Sequence, residues 1–159
     1  MKQLTLMRHG EAMIQALDQN DFHRALSPRA ARDIYLVRKQ LTESAGVPEL
    51  IYCSPAVRTK QSLEIFLEDS PLGIVTVFQS SLYAAEAEAL QLLIARSAEE
   101  REHVMIIGHN PSLEELLFSL CSRHIRLRPA NAFSLSLDIQ TWPEIFGPVT
   151  VGSLSLFRP

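Results

Sequence analysis

The feature that most constrains this chain is a repeated pairing: four times over, a short apolar run ends in a loop signal and is followed by a segment with helical periodicity. Residues 3–7 alternate polar and apolar and stop at Arg8-His9-Gly10, as a strand running into a loop does. Leu26-Ser27-Pro28 then reads as a helix start. Ser27 is a capping residue, and proline fits the first helical position because its missing N–H is not needed there. Ala30, Ile34, Val37 and Leu41 recur every three or four residues, predicting one buried face that ends before Gly46-Val47-Pro48. Leu50-Ile51-Tyr52-Cys53 is a second strand, Ser54-Pro55 repeats the cap-plus-proline start, and Leu63, Phe66 and Leu67 give the next helix its face. Residues 74–78 are β-branched and read as a third strand; residues 86–95, rich in Ala, Leu and Glu, read as helix. Val104-Met105-Ile106-Ile107 is continuously apolar, the pattern of a central strand covered on both faces, and residues 112–120 are helical. Residues 133–139 and 151–157 alternate and read as two late antiparallel strands. Strands alternating with helices predict an α/β fold with a mostly parallel sheet, one domain over residues 1–159.

Composition excludes several alternatives. Apolar residues at 47% and charged residues at 21% describe a globular chain, not a disordered or fibrous one. By surface scaling, a 17.9 kDa chain exposes roughly 8,000 Å² folded against about 26,000 Å² unfolded, so a core needs no staples. A net charge of −3 argues against a general nucleic-acid binder. Two cysteines cannot make a disulfide framework, which suits a reducing compartment. No run approaches the roughly 18 apolar residues of a membrane helix, and residues 1–8 lack the pattern of a signal peptide, so a cytoplasmic location is expected.

Three clusters follow predicted strands: Arg8-His9-Gly10, Ser54-Pro55-Ala56-Val57-Arg58 and Gly108-His109-Asn110. Ligands of open parallel sheets bind beyond the carboxyl ends of the strands, so the three can meet in one crevice. Two arginines and two histidines with few carboxylates beside them suit a dianion. A phosphoryl group is the natural one, because its oxygens match the guanidinium fork. Arg58 is expected in the first turn of its helix, where free backbone N–H groups add anion affinity. A neutral histidine beside an arginine can accept the phosphoryl group, and the second histidine, once protonated, can donate to one of its oxygens. A lone His-Gly after a strand is ordinarily just a turn; the two such pairs joined by Arg58 carry the functional reading.

These residues also carry a resemblance. Leu6-Met7-Arg8-His9-Gly10-Glu11 resembles the signature of the histidine phosphatase superfamily, the phosphoglycerate-mutase-like fold, and the short chain is similar to its SixA-type phosphohistidine phosphatases. Ser54-Pro55-x-x-Arg58-Thr59-x-Gln61-Ser62 resembles the second-arginine motif, and Gly108-His109-Asn110-Pro111-Ser112-Leu113-Glu114-Glu115-Leu116 the second-histidine motif. Arg24-Ala25-Leu26-Ser27 resembles the segment leading into the first long helix, and Pro129-Ala130-Asn131-Ala132 with the Trp142 region the C-terminal hairpin. The resemblance implies a three-layer α/β/α sandwich in which His9 is the phosphorylated nucleophile. Arg8, Arg58 and His109 complete the phosphate pocket, Arg24 binds substrate at the rim, and neither metal nor cofactor takes part. Two departures stand out. Ala30 replaces a frequent glycine, with packing consequences only, and Ala84 follows Leu82-Tyr83 where an acidic residue is frequent.

The second departure bears on the general acid. Glu86, Glu88 and Glu11 are candidates, although solvated charges account for all three. A phosphohistidine substrate makes an acid dispensable, since imidazole, with an ordinary pKa of about 6.5, leaves far more readily than an alkoxide. The resemblance implies dephosphorylation of phosphohistidine on a protein, such as a phosphotransfer domain of a phosphorelay, as the expected activity. A small-molecule phosphomonoesterase and a non-catalytic phosphoprotein-binding module are the alternatives. Cys53 and Arg58 are too close for a cysteine phosphatase loop, and Cys53 reads as a buried thiol. No Walker loop or dinucleotide glycine motif is present, and His23, His103 and His124 lack metal-ligand spacing. The Glu114-Glu115 pair suits a helix N-terminus. Arg123, His124, Arg126 and Arg128 form a basic patch that is either solvated surface or a contact for an acidic partner.

Overall fold

A computed structural model describes residues 1–97 and 99–159. Six strands form one sheet: β1 (Lys2–Arg8), β2 (Leu50–Cys53), β3 (Val75–Phe78), β4 (His103–Gly108), β5 (Ala132–Leu137) and β6 (Val151–Phe157). Their spatial order is β3-β2-β4-β1-β5-β6. The first four strands run parallel, and β5 and β6 are antiparallel, as the sequence predicts. Four helices, α1 (Ala30–Ala45), α2 (Val57–Leu67), α3 (Ala87–Ala95) and α4 (Ser112–Cys121), complete a three-layer α/β/α sandwich.

Side-chain alternation along the central strands builds two cores. Leu4 and Leu6 of β1 and Val104 and Ile106 of β4 pack with Leu90 and Ile94 of α3 and Leu113, Leu116 and Leu117 of α4. Met7, Met105 and Ile107 face the other way, onto Ile34, Val37 and Leu41 of α1 and Leu63 and Phe66 of α2. Every residue of β4 is buried. Each large apolar side chain so enclosed contributes about 1.5–3 kcal/mol. The edge strand β3 differs: Val75 and Phe78 are exposed, because no helix covers that end of the sheet as fully.

Both helices announced by a Ser-Pro pair start later than the sequence suggests, because each serine is used elsewhere. The Ser27 hydroxyl donates to the Glu11 carboxylate at 2.7 Å, and its carbonyl accepts the Ala30 N–H, so α1 begins at Ala30. Ser54 turns toward His109, and α2 begins at Val57. Short 3-10 turns at Asp21–His23, Ser80–Leu82 and Trp142–Phe146 lack a periodic signature. The last joins β5 to β6. Its Trp142 is fully buried and donates Nε1–H to the Arg101 carbonyl at 2.8 Å. Lys2 is buried beside it at the start of β1, its ammonium held by the carbonyls of Glu99 and Arg101 and the Glu102 carboxylate.

Gly10 is required by close approach. A Cβ there would meet Ile34 Cδ1 at 2.9 Å and Ala30 Cβ at 3.0 Å, so α1 lies directly against the turn after β1. Ala30, the departure noted above, is thus a packing residue. Among the described residues, no helix is long and apolar enough to cross a membrane.

Candidate active site

The strand order places β2, β4 and β1 side by side, with Arg8 in register with Gly108 and Cys53 with Ile107. The chain therefore leaves the sheet at adjacent points into the segments carrying His9, Arg58 and His109. A hollow of about 410 Å³ opens there, lined by Arg8, His9, Arg58 and His109 together with Glu11, Asp21, Arg24, Tyr83, Ala84 and Asn110. All four core residues expected from the sequence meet in it, with Arg24 on its wall.

The His9 ring is held in one tautomer. Its Nδ1 lies 2.6 Å from the Gly10 carbonyl, which can only accept, so Nδ1 carries the proton and Nε2 carries the lone pair. Arg58 Nε donates to that Nε2 at 3.3 Å. Burial, with the charges of His109, Arg58 and Arg8 adding to it, pushes the His9 pKa down to about 3. The ring is thus neutral at ordinary pH. His109 lies with its ring centroid 5.2 Å away. Arg58 Nη2 stands 3.4 Å from its Nδ1 and can only donate, so the His109 Nε2–H points to Ser54 Oγ at 2.8 Å. Burial and then Arg58 push the His109 pKa down to about 4.

Arg58 is buried in the first turn of α2 and ties the site together. Besides both histidines, its Nη1 donates to the Asp21 carbonyl at 2.7 Å and its Nη2 to Asp21 Oδ2 at 3.0 Å. Arg8 donates Nη1 to the Leu127 carbonyl at 3.0 Å. Its Nε is a buried donor with no acceptor among the described residues, the kind of group an anion satisfies.

Asp21 is the residue that sequence reasoning missed, and it corrects the expectation of a site with few carboxylates. Its oxygens accept from Arg24 at 2.9 Å, Tyr83 at 2.8 Å and Arg58. Arg24 first, then Tyr83 and Arg58, hold its pKa at about 2. The signal that could have found it is its place three residues before Arg24, a spacing that favours ion pairs. Arg24 also donates Nε–H to the Met13 carbonyl at 2.7 Å, so on the wall it braces the loop after His9. Tyr83 is a further polar contact without a local signal in the sequence, and Ser54, expected here only as a helix cap, bonds to His109 instead.

Of the acid candidates, Glu86 and Glu88 line a different hollow with Ser81 and Phe146, and only Glu11 reaches the site wall. Cys53 is buried beneath α2, and burial pushes its thiol up to about 12. Among the described residues, no group of three or more His, Cys, Asp or Glu is arranged to hold a metal ion.

No protein-family model matches the chain. An uncharacterised chloroplastic protein of Arabidopsis thaliana is 29% identical over 154 residues, which cover 91% of this chain and 71% of that protein. Among solved structures, the candidate phosphohistidine phosphatase SixA of Agrobacterium tumefaciens superposes with a TM-score of 0.81 at 22% identity, covering 97% of both chains. The protein histidine phosphatase SixA complexed with tungstate superposes with a TM-score of 0.80 at 22% identity, covering 96% of this chain and 95% of that one. With its parallel β3-β2-β4-β1 core and antiparallel hairpin, the chain has the phosphoglycerate-mutase-like fold of the histidine phosphatase superfamily.

Proposed function

We propose that this protein is a phosphatase that acts through a phosphohistidine intermediate on His9 and takes its phosphoryl group from phosphohistidine on a protein. The carrying observation is the His9 ring itself, neutral, with Nδ1–H bound to Gly10 and the Nε2 lone pair facing Arg58. In the first step Nε2 attacks phosphorus, an N–P bond forms, and the bond to the substrate's imidazole, whose other ring nitrogen carries a proton, breaks with its electron pair on the departing nitrogen, so that a neutral ring leaves. Arg58 turns the Nε–H now on His9 toward a phosphoryl oxygen, Arg8 offers its unpartnered Nε–H, and His109 takes up a proton as the dianion arrives and donates to a third oxygen. Water then attacks the phosphorus of phospho-His9, releasing inorganic phosphate and the ring. Neither step calls for a metal ion.

The surrounding carboxylates favour a nitrogen leaving group. Asp21, held at about 2, has no proton to lend, and Glu86 and Glu88 lie outside the hollow. Glu11 is on the wall but accepts the Ser27 hydroxyl. An imidazole with an ordinary pKa of about 6.5 departs without such help, whereas an alkoxide does not. The SixA-type neighbours, one solved with tungstate, support a phosphorylated substrate, and a phosphotransfer domain in a signalling relay is the protein carrier this reading favours.

The test is rapid alkaline trapping and mass spectrometry after mixing with a phosphohistidine peptide or with acetyl phosphate. The expected result is a phosphoryl adduct on His9 that turns over to free phosphate, with the histidine peptide faster than an alkyl phosphate. An adduct with faster ester turnover would move the assignment to a small-molecule phosphomonoesterase. Absence of both adduct and phosphate would leave a phosphoprotein-binding module.

A further inference from the structure

Phosphate chemistry does not account for the surface beside the hollow. Past Asn110 the wall continues through Pro111 into a groove of about 410 Å³ whose floor is Phe118 and Ile125, with Arg126 at its edge. Phe118 is exposed on the outer side of α4, and the His124 ring stacks on it with centroids 4.3 Å apart. Past Glu11 and Ala12, which also line the hollow, the loop presents Ile14 and Leu17, which are 89% and 109% exposed. An anion-suited hollow that runs on into exposed apolar surface fits a ligand much larger than a phosphate ester.

The charge on this face has a direction. Arg126 and Arg128 are exposed, and neither has a carboxylate partner among the ion pairs of the described residues. Of the two groove glutamates, Glu114 is committed inward, accepting from Asn110 Nδ2 at 2.8 Å and the Leu127 N–H at 2.7 Å. A chain of net charge −3 therefore keeps a stretch of unpaired positive charge beside its hollow. The stretch is also anchored to the site, because the Leu127 carbonyl between Arg126 and Arg128 receives both Arg8 Nη1 and Asn110 Nδ2.

We propose that this face docks the phosphate-carrying protein through an amphipathic acidic segment, with apolar side chains on Phe118 and Ile125 and carboxylates toward Arg126 and Arg128. This rests on the protein-phosphohistidine reading above and adds the chemistry of the partner. The arginines steer encounter and fix orientation, and the apolar floor supplies the desolvated anchor.

The experiment compares three substrates: phosphoramidate and two helical phosphohistidine peptides of equal length. Both peptides carry the same leucine stripe, but the flanking positions are glutamate in one and lysine in the other. The wild-type protein is expected to turn over the glutamate peptide with a kcat/KM at least tenfold above the lysine peptide. Arg126→Glu should erase that preference, and Phe118→Ala should raise KM for the glutamate peptide three- to tenfold. Both variants should leave phosphoramidate turnover within twofold of wild type. Equal turnover of the two peptides, or a loss that phosphoramidate shares, overturns the proposal. Release of phosphate from none of the three substrates would count against the phosphatase reading alone. Docking is then decided by anisotropy with unphosphorylated, labelled peptides, where tighter binding of the glutamate peptide that Arg126→Glu abolishes supports it and equal binding overturns it. A single-stranded oligonucleotide that displaces the glutamate peptide at equal charge would also overturn it, making the groove a general polyanion site.

Discussion

His9 and His109 at the strand ends and His103 at the start of β4 are all buried, and burial pushes the three imidazoles down to about 3, 4 and 4. Their surroundings differ. The His103 ring bonds on one side to the Val47 backbone and on the other, through Nε2, to Thr5 Oγ1 at 2.8 Å; Thr5 continues to Ser134 Oγ at 3.0 Å. That chain runs across β4, β1 and β5 and stays inside the sheet. His9 and His109 instead share one guanidinium and open onto a hollow. A depressed histidine pKa marks burial in both places. What sets the His9 setting apart is a lone pair that faces a cation and an open hollow beside it.

The sharpest contrast is substitution by alanine. His9→Ala is expected to lower phosphate release by a factor on the order of 10³ or more while the fold persists. His103→Ala should leave turnover per folded molecule near wild type, measured after correcting for the folded fraction. Comparable kinetic losses in both variants would remove the distinction.

Stability against pH should respond to all three rings alike. Each folded pKa lies below the ordinary unfolded value of about 6.5, so the unfolded chain binds more protons as the pH falls. The stabilisation is fully present above about 6.5 and drains as pH drops toward 4, with His9 continuing toward 3. Each ring contributes up to about 1.4 kcal/mol per pH unit across that window. Urea unfolding at pH 7, 6, 5 and 4.5 should show the fall, and His103→Phe should flatten it by about a third; an unchanged slope would mean His103 titrates normally. Inorganic phosphate should flatten the slope further by restoring the proton on His109.

Asp21 offers a finer cut, because it touches the reactive setting alone. Asp21→Asn is expected to reduce kcat/KM about tenfold by releasing Arg58, while the Kd for inorganic phosphate does not weaken, since a negative charge has left the rim. Parallel loss of phosphate affinity would show that Asp21 supports binding rather than the aim of Arg58. Smallest of all, His103→Gln keeps a donor and an acceptor in the sheet. It should cost about 1 kcal/mol in denaturant unfolding and change turnover less than twofold.

What the sequence disclosed follows the same division. β4 was legible because a strand covered on both faces shows as an unbroken apolar run, and Arg8, His9, Arg58 and His109 because each follows a strand that stands out. Helix starts were misplaced by two residues where Ser27 and Ser54 bond to Glu11 and His109, partners remote in the chain. Asp21 lies in a 3-10 turn and Tyr83 directly after another, both without periodicity, and 62 positions separate them, so nothing local announces that they touch. The exposure of β3 was equally hidden, since its Val-Thr-Val-Phe composition suits an edge or a centre.

The burial of Lys2 has a practical side. It starts the strand that ends at Arg8, next to His9, and six steps of about 3.3 Å put some 20 Å between the two ends. The Lys2 amine is shielded and already bonded, whereas Met1 is exposed. A handle fused at Met1 therefore attaches to the far side of the sheet, whereas amine-reactive coupling would also engage the exposed Lys39 and Lys60. A resin or sensor chip loaded through the Met1 handle leaves the mouth of the hollow facing the liquid.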